Sequence, residues 1–230
     1  MDLRANRRFL CLMCLIALWE INLWAQGYFL DNTSATLEYV RKDAGDGKFR
    51  WRHKINVTDV KETDTHTFYT TRSVFTKQNG NPLYHDDVLE KSIVDKSTGD
   101  VSFDVGQAAA SYIKARIGVN ATGKGVLSNL PAQIQPGDTL APVFAQAKVG
   151  PLTYQVSVTD RKVLRRETIS VPAGTFECIV VQEHKVESGP GHHRDVVNVS
   201  WYSKGVGYVR HDTYIKGILD TKEILYSINE

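Results

Sequence analysis

Two long β-branched stretches of this chain meet at the segment Val171-Pro172-Ala173-Gly174-Thr175-Phe176-Glu177-Cys178. Proline fixes one backbone angle and cannot donate to a β-ladder, whereas glycine accepts the positive φ that a tight reversal requires. The segment therefore predicts a sharp turn between two long strands, and we expect it to set their register. Beyond the turn, Phe176, Cys178 and Val180 should lie on one face of the second strand, with Ile179 and Val181 on the other. We expect this strand to be covered on both sides.

Similar apolar runs, each ended by Gly, Pro or a Lys-Gly step, occupy most of the chain. The C-terminal runs are Trp201-Tyr202-Ser203-Lys204-Gly205-Val206-Gly207-Tyr208 and Ile224-Leu225-Tyr226-Ser227-Ile228. Alternating patterns predict further strands within 36–60, 65–76, 88–95, 101–103, 152–160, 163–171, 175–186 and 196–203. About a dozen strands in one domain must curl or split into two sheets to cover their apolar faces. The sequence therefore predicts a mainly β fold built as an antiparallel meander.

The hydrophobic period changes from two to about 3.6 at Asp104, which predicts one helix over Val105–Ile117. Asp104 and Gln107 form a candidate capping pair, and Gly118 ends the pattern. The helix is expected to plug the concave side of the curled sheet. Residues 119–129 are rich in Gly, Asn and Ser and are interpreted as a loop.

One predicted strand has an apolar face that a histidine interrupts. Its apolar residues of one parity are Phe49, Trp51, Ile55 and Val57, and His53 shares that parity. The other parity carries a basic row, Arg50, Arg52 and Lys54, which we interpret as a solvated outer face rather than a nucleic-acid patch. His53, His184 and His211 stand singly among strand residues and are expected at surface or half-buried positions.

Residues 1–25 have the pattern of a secretory signal peptide. Arg4, Arg7 and Arg8 form a basic start, about ten apolar residues precede Glu20, and a spanning helix would need roughly 20. We expect cleavage after residue 25 and a single β-rich domain over 26–230. That domain has 25 basic and 24 acidic residues, which supplies no electrostatic basis for binding nucleic acid or an anionic membrane surface.

Cysteine usage and the search for known catalytic motifs argue against several kinds of functional site. Only Cys178 remains after residue 25, so no intramolecular disulfide is expected, and its apolar neighbours favour a buried structural role. His85-Asp86-Asp87 and His192-His193 offer metal-type ligands, but adjacent strand side chains point to opposite faces and a loop pair is flexible. No nucleophile elbow, zinc-protease pair, phosphate loop or dinucleotide fingerprint is present. We therefore expect no metal site, no cofactor and no catalytic residues.

Three signatures occur in a specific order along the chain. They are Asn129-Leu130-Pro131 with Gln135-Pro136-Gly137-Asp138-Thr139-Leu140, then residues 171–178, then Trp201-Tyr202-Ser203-Lys204-Gly205-Val206-Gly207-Tyr208-Val209. In this order they resemble the TapB-like family of exported Gram-negative β proteins, a domain of unknown function, over about residues 36–228. The resemblance implies a single curled antiparallel sheet or partial barrel, lipocalin-like or lipoprotein-carrier-like, around a mid-sequence helix. It implies no established catalytic residue.

Two function classes remain open from the sequence. The first is a non-enzymatic binder or carrier of a lipid or other apolar small molecule in the periplasm or outer envelope. Its concave face would be lined by Tyr112, Tyr154 and Trp201, and the alternative interpretation of these aromatics is plain core. The second is an envelope interaction or scaffold protein that holds a protein partner through a sheet edge or the 119–129 loop. Hydrolase chemistry is the less favoured third reading.

Overall fold

A computed structural model describes residues 26–30 and 32–230 of the chain. The signal peptide predicted for residues 1–25 lies outside the described residues. The helix α1 is Val105–Ile117. The strands within the described residues are β1 (Thr36–Asp43), β2 (Phe49–Glu62), β3 (His66–Thr76), β4 (Val88–Asp95), β5 (Val101–Phe103), β6 (Thr122–Gly125), β7 (Ser128–Leu130), β8 (Val143–Val149), β9 (Leu152–Val171), β10 (Gly174–Gly189), β11 (His192–Ser203), β12 (Gly207–Ile215) and β13 (Ile218–Asn229).

All the strands of the described chain form one antiparallel sheet, in the order β6-β8-β9-β10-β11-β12-β13-β1-β2-β3-β4-β5-β7. The sheet curls so that its two ends approach each other. Arg161 of β9 donates from a terminal nitrogen to the carbonyl oxygen of Asn129 on the edge strand β7, at 3.4 Å. The edges do not pair, so the sheet stays open. The prediction of a mainly β, single curled antiparallel sheet with one mid-sequence helix is confirmed.

The corner at Pro172 and Ala173 joins the two longest strands, as predicted. Val171 of β9 faces Gly174 of β10, and Gly174 has a φ of 144°, which a side chain would oppose. The next part of β10 is buried on both faces, because Cys178, Ile179, Val180 and Val181 are all buried. This strand pair therefore forms the centre of one half of the sheet.

Two predicted boundaries are wrong. The segments 152–160 and 163–171 were expected as separate strands, but they form one strand, β9, in which Asp160 adopts a positive φ of 49° and the register with β10 shifts. A β-bulge of this kind bends a strand without ending it. The loop expected over 119–129 contains β6 and the start of β7. The glycines of β6 let this strand pack closely on α1, since a Cβ on Gly123 would collide with the backbone of Gly106 in the helix.

Helix α1 begins and ends where the sequence predicted. The Asp104 carboxylate accepts from the backbone N–H of Gln107 at 2.9 Å, and Gly118 closes the helix with a φ of 71°. The helix packs against β4 near one end of the sheet and against β6 and β8 near the other. The Ser111 hydroxyl accepts from the N–H of Leu89 on β4 at 2.7 Å. The helix therefore spans the opening between the two ends of the sheet, on its concave side.

Two apolar clusters hold the sheet together. The larger one contains the buried residues Leu30, Ala35, Leu37, Tyr39, Cys178, Val180, Val199, Trp201, Val209 and Leu225. The smaller one contains the buried residues Tyr28, Leu130, Ile134, Val163, Ile179 and Val181. Within residues 26–30 and 32–230, no helix has the length and apolar character needed to cross a membrane.

Candidate functional site

A row of polar side chains crosses the concave face where a β-protein would ordinarily place apolar ones. The strand register aligns Ser200, His211, Glu223, Arg41 and Trp51 on β11, β12, β13, β1 and β2 in turn. Side chains of directly paired residues share a face of the sheet, so this row lies on one surface. Buried ionisable groups are costly to desolvate and for that reason mark candidate functional sites.

Glu223 is the centre of this row and is only 5% exposed. Its carboxylate lies 3.1 Å from Arg41 Nη1 and 3.3 Å from His53 Nδ1. Burial by itself would raise the pKa of Glu223, but the hydrogen bond and charge of His53 and the charge of Arg41 lower it to about 2. The guanidinium of Arg41 also donates to the hydroxyls of Thr213 and Thr221. Glu223 is therefore held as a carboxylate inside the fold.

Glu223 also orients the imidazole of His53, which is 7% exposed. The ring of His53 stacks on Phe75 with a centroid distance of 4.1 Å and an interplanar angle of 12°. Because the carboxylate accepts a hydrogen bond at Nδ1, a neutral ring carries its proton there and leaves Nε2 as an acceptor. Within the described part of the chain, His53 Nε2 is buried without a hydrogen-bond partner.

Two further groups, on β3 and β4, lie on the same face of the sheet as His53. Ser73 is 1% exposed, and its hydroxyl makes no hydrogen bond of ordinary geometry to any described residue. Burial raises the pKa of Glu90, while the charges of His53 and Lys185 and the Ser73 hydroxyl lower it in part. Glu90 therefore lies near both Ser73 and His53. We call His53, Ser73 and Glu90 the interior site.

Aromatic rings connect the interior site to the outside of the molecule. Phe75, which stacks on His53, lies 5.1 Å from the ring of Tyr84 and 6.4 Å from that of Tyr112 on α1. The hydroxyls of Tyr84 and Tyr112 are 2.6 Å apart, and burial raises the pKa of Tyr84 well above its usual value. Tyr112 is 36% exposed. We call Phe75, Tyr84 and Tyr112 the aromatic gate, because they lie between the interior site and solvent.

The structure places the three aromatic residues proposed from sequence in three different surroundings. Tyr112 belongs to the aromatic gate. Tyr154 on β9 packs its ring on Gly189 of β10, where a Cβ would collide with the ring. Trp201 is buried on the face of β11 opposite Ser200, so it lies outside the concave face. Its Nε1 donates to Glu167 at 3.0 Å, and the Arg210 guanidinium lies 4.4 Å from the centre of its ring.

Sequence reasoning missed the residues of the interior site. His53 was expected at the surface or half-buried, but it is buried because Glu223, Tyr208 and Phe75 enclose its ring. One signal could have identified it, namely that it interrupts the apolar parity of β2. Ser73 and Glu90 carry no comparable signal, since single serines and glutamates are ordinary in any strand.

Two depressions elsewhere on the described surface are weaker candidates for a functional site. A depression of about 670 Å³ lies against the loop after β7 and includes Ile134 and Leu140. A second, of about 560 Å³, lies beside Tyr28 and Cys178. Neither includes a residue of the interior site, and neither has a buried polar atom that lacks a partner. Among residues 26–30 and 32–230, no group of three or more His, Cys, Asp or Glu side chains is arranged to hold a metal ion.

Comparison with known proteins gives a family and a fold. The model of a family described as DUF3108-like matches residues 35–222. A candidate exported protein of Bacteroides fragilis with a YmcC-like fold superposes with a TM-score of 0.72 at 20% identity, covering 89% of this chain and 100% of that chain. A candidate lipoprotein of Parabacteroides distasonis superposes with a TM-score of 0.70 at 17% identity, covering 89% and 99%. At these identities the likeness shows the fold alone. No match was found among curated proteins.

Proposed function

The chain belongs to the DUF3108-like family, and on that premise we propose that it is a non-enzymatic binding protein. Its ligand enters the concave side of the sheet beneath α1, and is a small molecule with an apolar or aromatic body and a polar end. The predicted signal peptide supports action in the periplasm or outer envelope of a Gram-negative bacterium. The finer assignment to the TapB-like family, made from three sequence signatures, stays a prediction.

One observation carries this proposal: the interior site contains polar atoms that the protein buries and leaves without partners. His53 Nε2 and Ser73 Oγ are both of this kind. Leaving a buried donor or acceptor unsatisfied costs about 1–3 kcal/mol, so native proteins rarely keep two on one surface without a use for them. A ligand that supplies the missing hydrogen bonds recovers that free energy on binding.

The polar interior changes the ligand expected from sequence alone. A purely apolar molecule would bury Glu90 and His53 against hydrocarbon and leave them unsatisfied. An amphipathic molecule avoids this cost, because its apolar part can lie against the aromatic gate while its polar end reaches the interior site. We therefore propose an amphipathic ligand in place of a wholly apolar one.

The chemistry near the interior site supports binding over catalysis. The Ser73 hydroxyl makes no hydrogen bond to His53, which a serine nucleophile would need. The free thiol of Cys178 lies elsewhere, and burial, with a smaller contribution from the charge of Glu167, raises its pKa to about 12. A thiol with a raised pKa is a poor nucleophile at neutral pH.

Native mass spectrometry of protein purified from its own cell envelope without detergent tests the proposal. We expect an adduct on the wild-type protein that solvent extraction removes and that chromatography can identify. Tyr112→Ala opens the aromatic gate and should lower the adduct occupancy. Tyr226→Ala is the matched control, because Tyr226 is an exposed tyrosine on β13, and it should retain the adduct. A folded wild-type protein that carries no adduct from its native envelope would contradict the proposal.

A second candidate, an envelope interaction protein, has one supporting observation. Val126, Leu127 and Phe144 are 58%, 43% and 54% exposed, and the N–H of Val126 donates to the carbonyl of Phe144. They form an exposed apolar patch at the β6 end of the sheet, and Val126 and Leu127 belong to the 119–129 segment that the sequence suggested for partner binding. Crosslinking in intact envelopes would favour this candidate if it recovered one reproducible protein neighbour that Phe144→Ser abolished.

A further inference from the structure

We infer that the interior site selects a ligand whose polar end is uncharged and carries hydroxyl groups, as in an alcohol, a glyceride or a sugar. This inference rests on the proposed function and adds the chemistry of the ligand to it. Three independent features of the interior support it, namely the unpartnered atoms, the pairing of the surrounding charges and the position of the aromatic rings.

The unpartnered atoms favour a ligand group that both donates and accepts hydrogen bonds. In its neutral form, with the proton on Nδ1 facing Glu223, His53 offers an acceptor at Nε2. The Ser73 hydroxyl can donate and accept. A ligand hydroxyl fits both, because it can donate to His53 Nε2 and accept from Ser73. A carboxylate could only accept, and an ammonium group could only donate.

Two cations near the interior site already have carboxylate partners. Arg41 pairs with Glu223 at 3.1 Å, and on the facing wall Lys185 pairs with Glu187 at 2.7 Å. Burial raises the pKa of Glu90, which makes this side chain a weaker counter-charge for a cationic ligand. A ligand carboxylate would lose its water without gaining a free cation, which is strongly unfavourable. An uncharged polar end avoids that penalty.

The rings show where the rest of the ligand would lie. Phe75 stacks directly on His53 and continues into Tyr84 and Tyr112. A molecule whose hydroxyl reaches Nε2 therefore has its remaining atoms beside these rings, where C–H surfaces pack well. Both the face of a sugar ring and an acyl chain present such surfaces. Free polyols and hydroxylated lipids both carry such hydroxyl groups, so both kinds of molecule fit the interior site.

A titration with matched probes tests the inference. Purified protein freed of bound molecules by solvent extraction is titrated by calorimetry with 1-monolaurin, laurate and dodecylamine, which share a chain length and differ in the polar end. Free glycerol and glucose are titrated in parallel to separate polyols from lipids. We expect 1-monolaurin to bind about tenfold more tightly than laurate or dodecylamine, the scale of a hydrogen bond gained against a buried polar group left unpaired.

Variants identify the atoms responsible for this preference. Ser73→Ala removes one buried hydroxyl that lies near Glu90 and makes no hydrogen bond of ordinary geometry, and it should reduce the preference for 1-monolaurin to a few fold. Ser203→Ala is the control, because Ser203 is a buried serine on the opposite face of β11, and it should keep the full preference. His53→Phe retains the stacking on Phe75 and is the second test, used if it folds.

Each outcome bears on the inference. Tight binding of glycerol or glucose alone would support it and identify a free polyol as the ligand. Equal binding of all three amphiphiles, or tighter binding of laurate or dodecylamine, would overturn it and leave the proposed binding function intact. No binding of any probe would count against both proposals. A preference for 1-monolaurin that survives in Ser73→Ala and His53→Phe would place the selective contacts elsewhere and overturn the assignment to this site.

Discussion

Glu223 is the residue whose removal should disturb the interior most. Glu223→Gln leaves the buried Arg41 without its counter-charge and removes the group that orients His53. Breaking a buried ion pair by removing one partner costs about 3–5 kcal/mol, and we expect a loss of stability of that size in urea unfolding.

Glu177→Gln is the matched control for this substitution, because Glu177 is an exposed carboxylate on β10. It should change the free energy of unfolding by less than about 0.5 kcal/mol. A loss below about 1 kcal/mol for Glu223→Gln, within the range of an ordinary neutral hydrogen bond, would show that the ion pair contributes no more than such a contact.

At the scale of the element, α1 depends on direct backbone contact with β6. Gly123→Ala would place a methyl group into the backbone of Gly106 at the start of the helix. Overpacking of this kind costs about 1–3 kcal/mol, because the helix must shift or separate from the strand. We expect that loss in urea unfolding, together with faster amide hydrogen exchange along α1.

Gly45→Ala is the control for the helix prediction. Gly45 is an exposed turn residue without a positive φ, and a Cβ there would meet nothing within 4 Å. The substitution should be neutral or slightly stabilising, since alanine restricts the unfolded chain. Unchanged hydrogen exchange of α1 in Gly123→Ala would show that the helix position does not depend on this contact.

The molecule as a whole should lose stability in acid because of the half-buried His211 and the buried carboxylate of Glu223. Burial, followed by the charge of Arg41, lowers the pKa of His211 to about 3. Between about pH 6.5 and 3 the unfolded chain therefore binds a proton at His211 that the folded protein does not. The lowered pKa of Glu223, about 2, adds to the loss from about pH 4.5 downwards.

Stability should accordingly fall as the pH is lowered from about 6.5, by at most about 1.4 kcal/mol per pH unit for each group. Burial has the opposite effect at Glu90, whose raised pKa favours the folded state in acid. His211→Gln should flatten the curve of unfolding free energy between pH 6.5 and 4, whereas His193→Gln, at an exposed histidine, should leave it unchanged. Parallel curves for wild type and His211→Gln would contradict the predicted titration.

The sequence by itself determined the elements whose signals are local. The bounds of α1 follow from Asp104, Gly118 and the 3.6-residue period, all within 15 residues of chain. The hairpin of β4 and β5 and the corner at Pro172 to Gly174 follow likewise, because proline, glycine and capping side chains act on their own backbone. The class of fold follows from these elements and their number.

Only the tertiary structure decided which strands are continuous and what the concave side contains. β6, with the sequence Thr-Gly-Lys-Gly, has little strand propensity, and it is a strand because β8 pairs with it and α1 packs on its glycines. His53 and Glu223 are 170 residues apart in the chain and meet through β13, β1 and β2. Alternation along a strand shows which side chains share a face. The partner of a buried charge depends on strand order and register, which are set by contacts between distant segments of the chain.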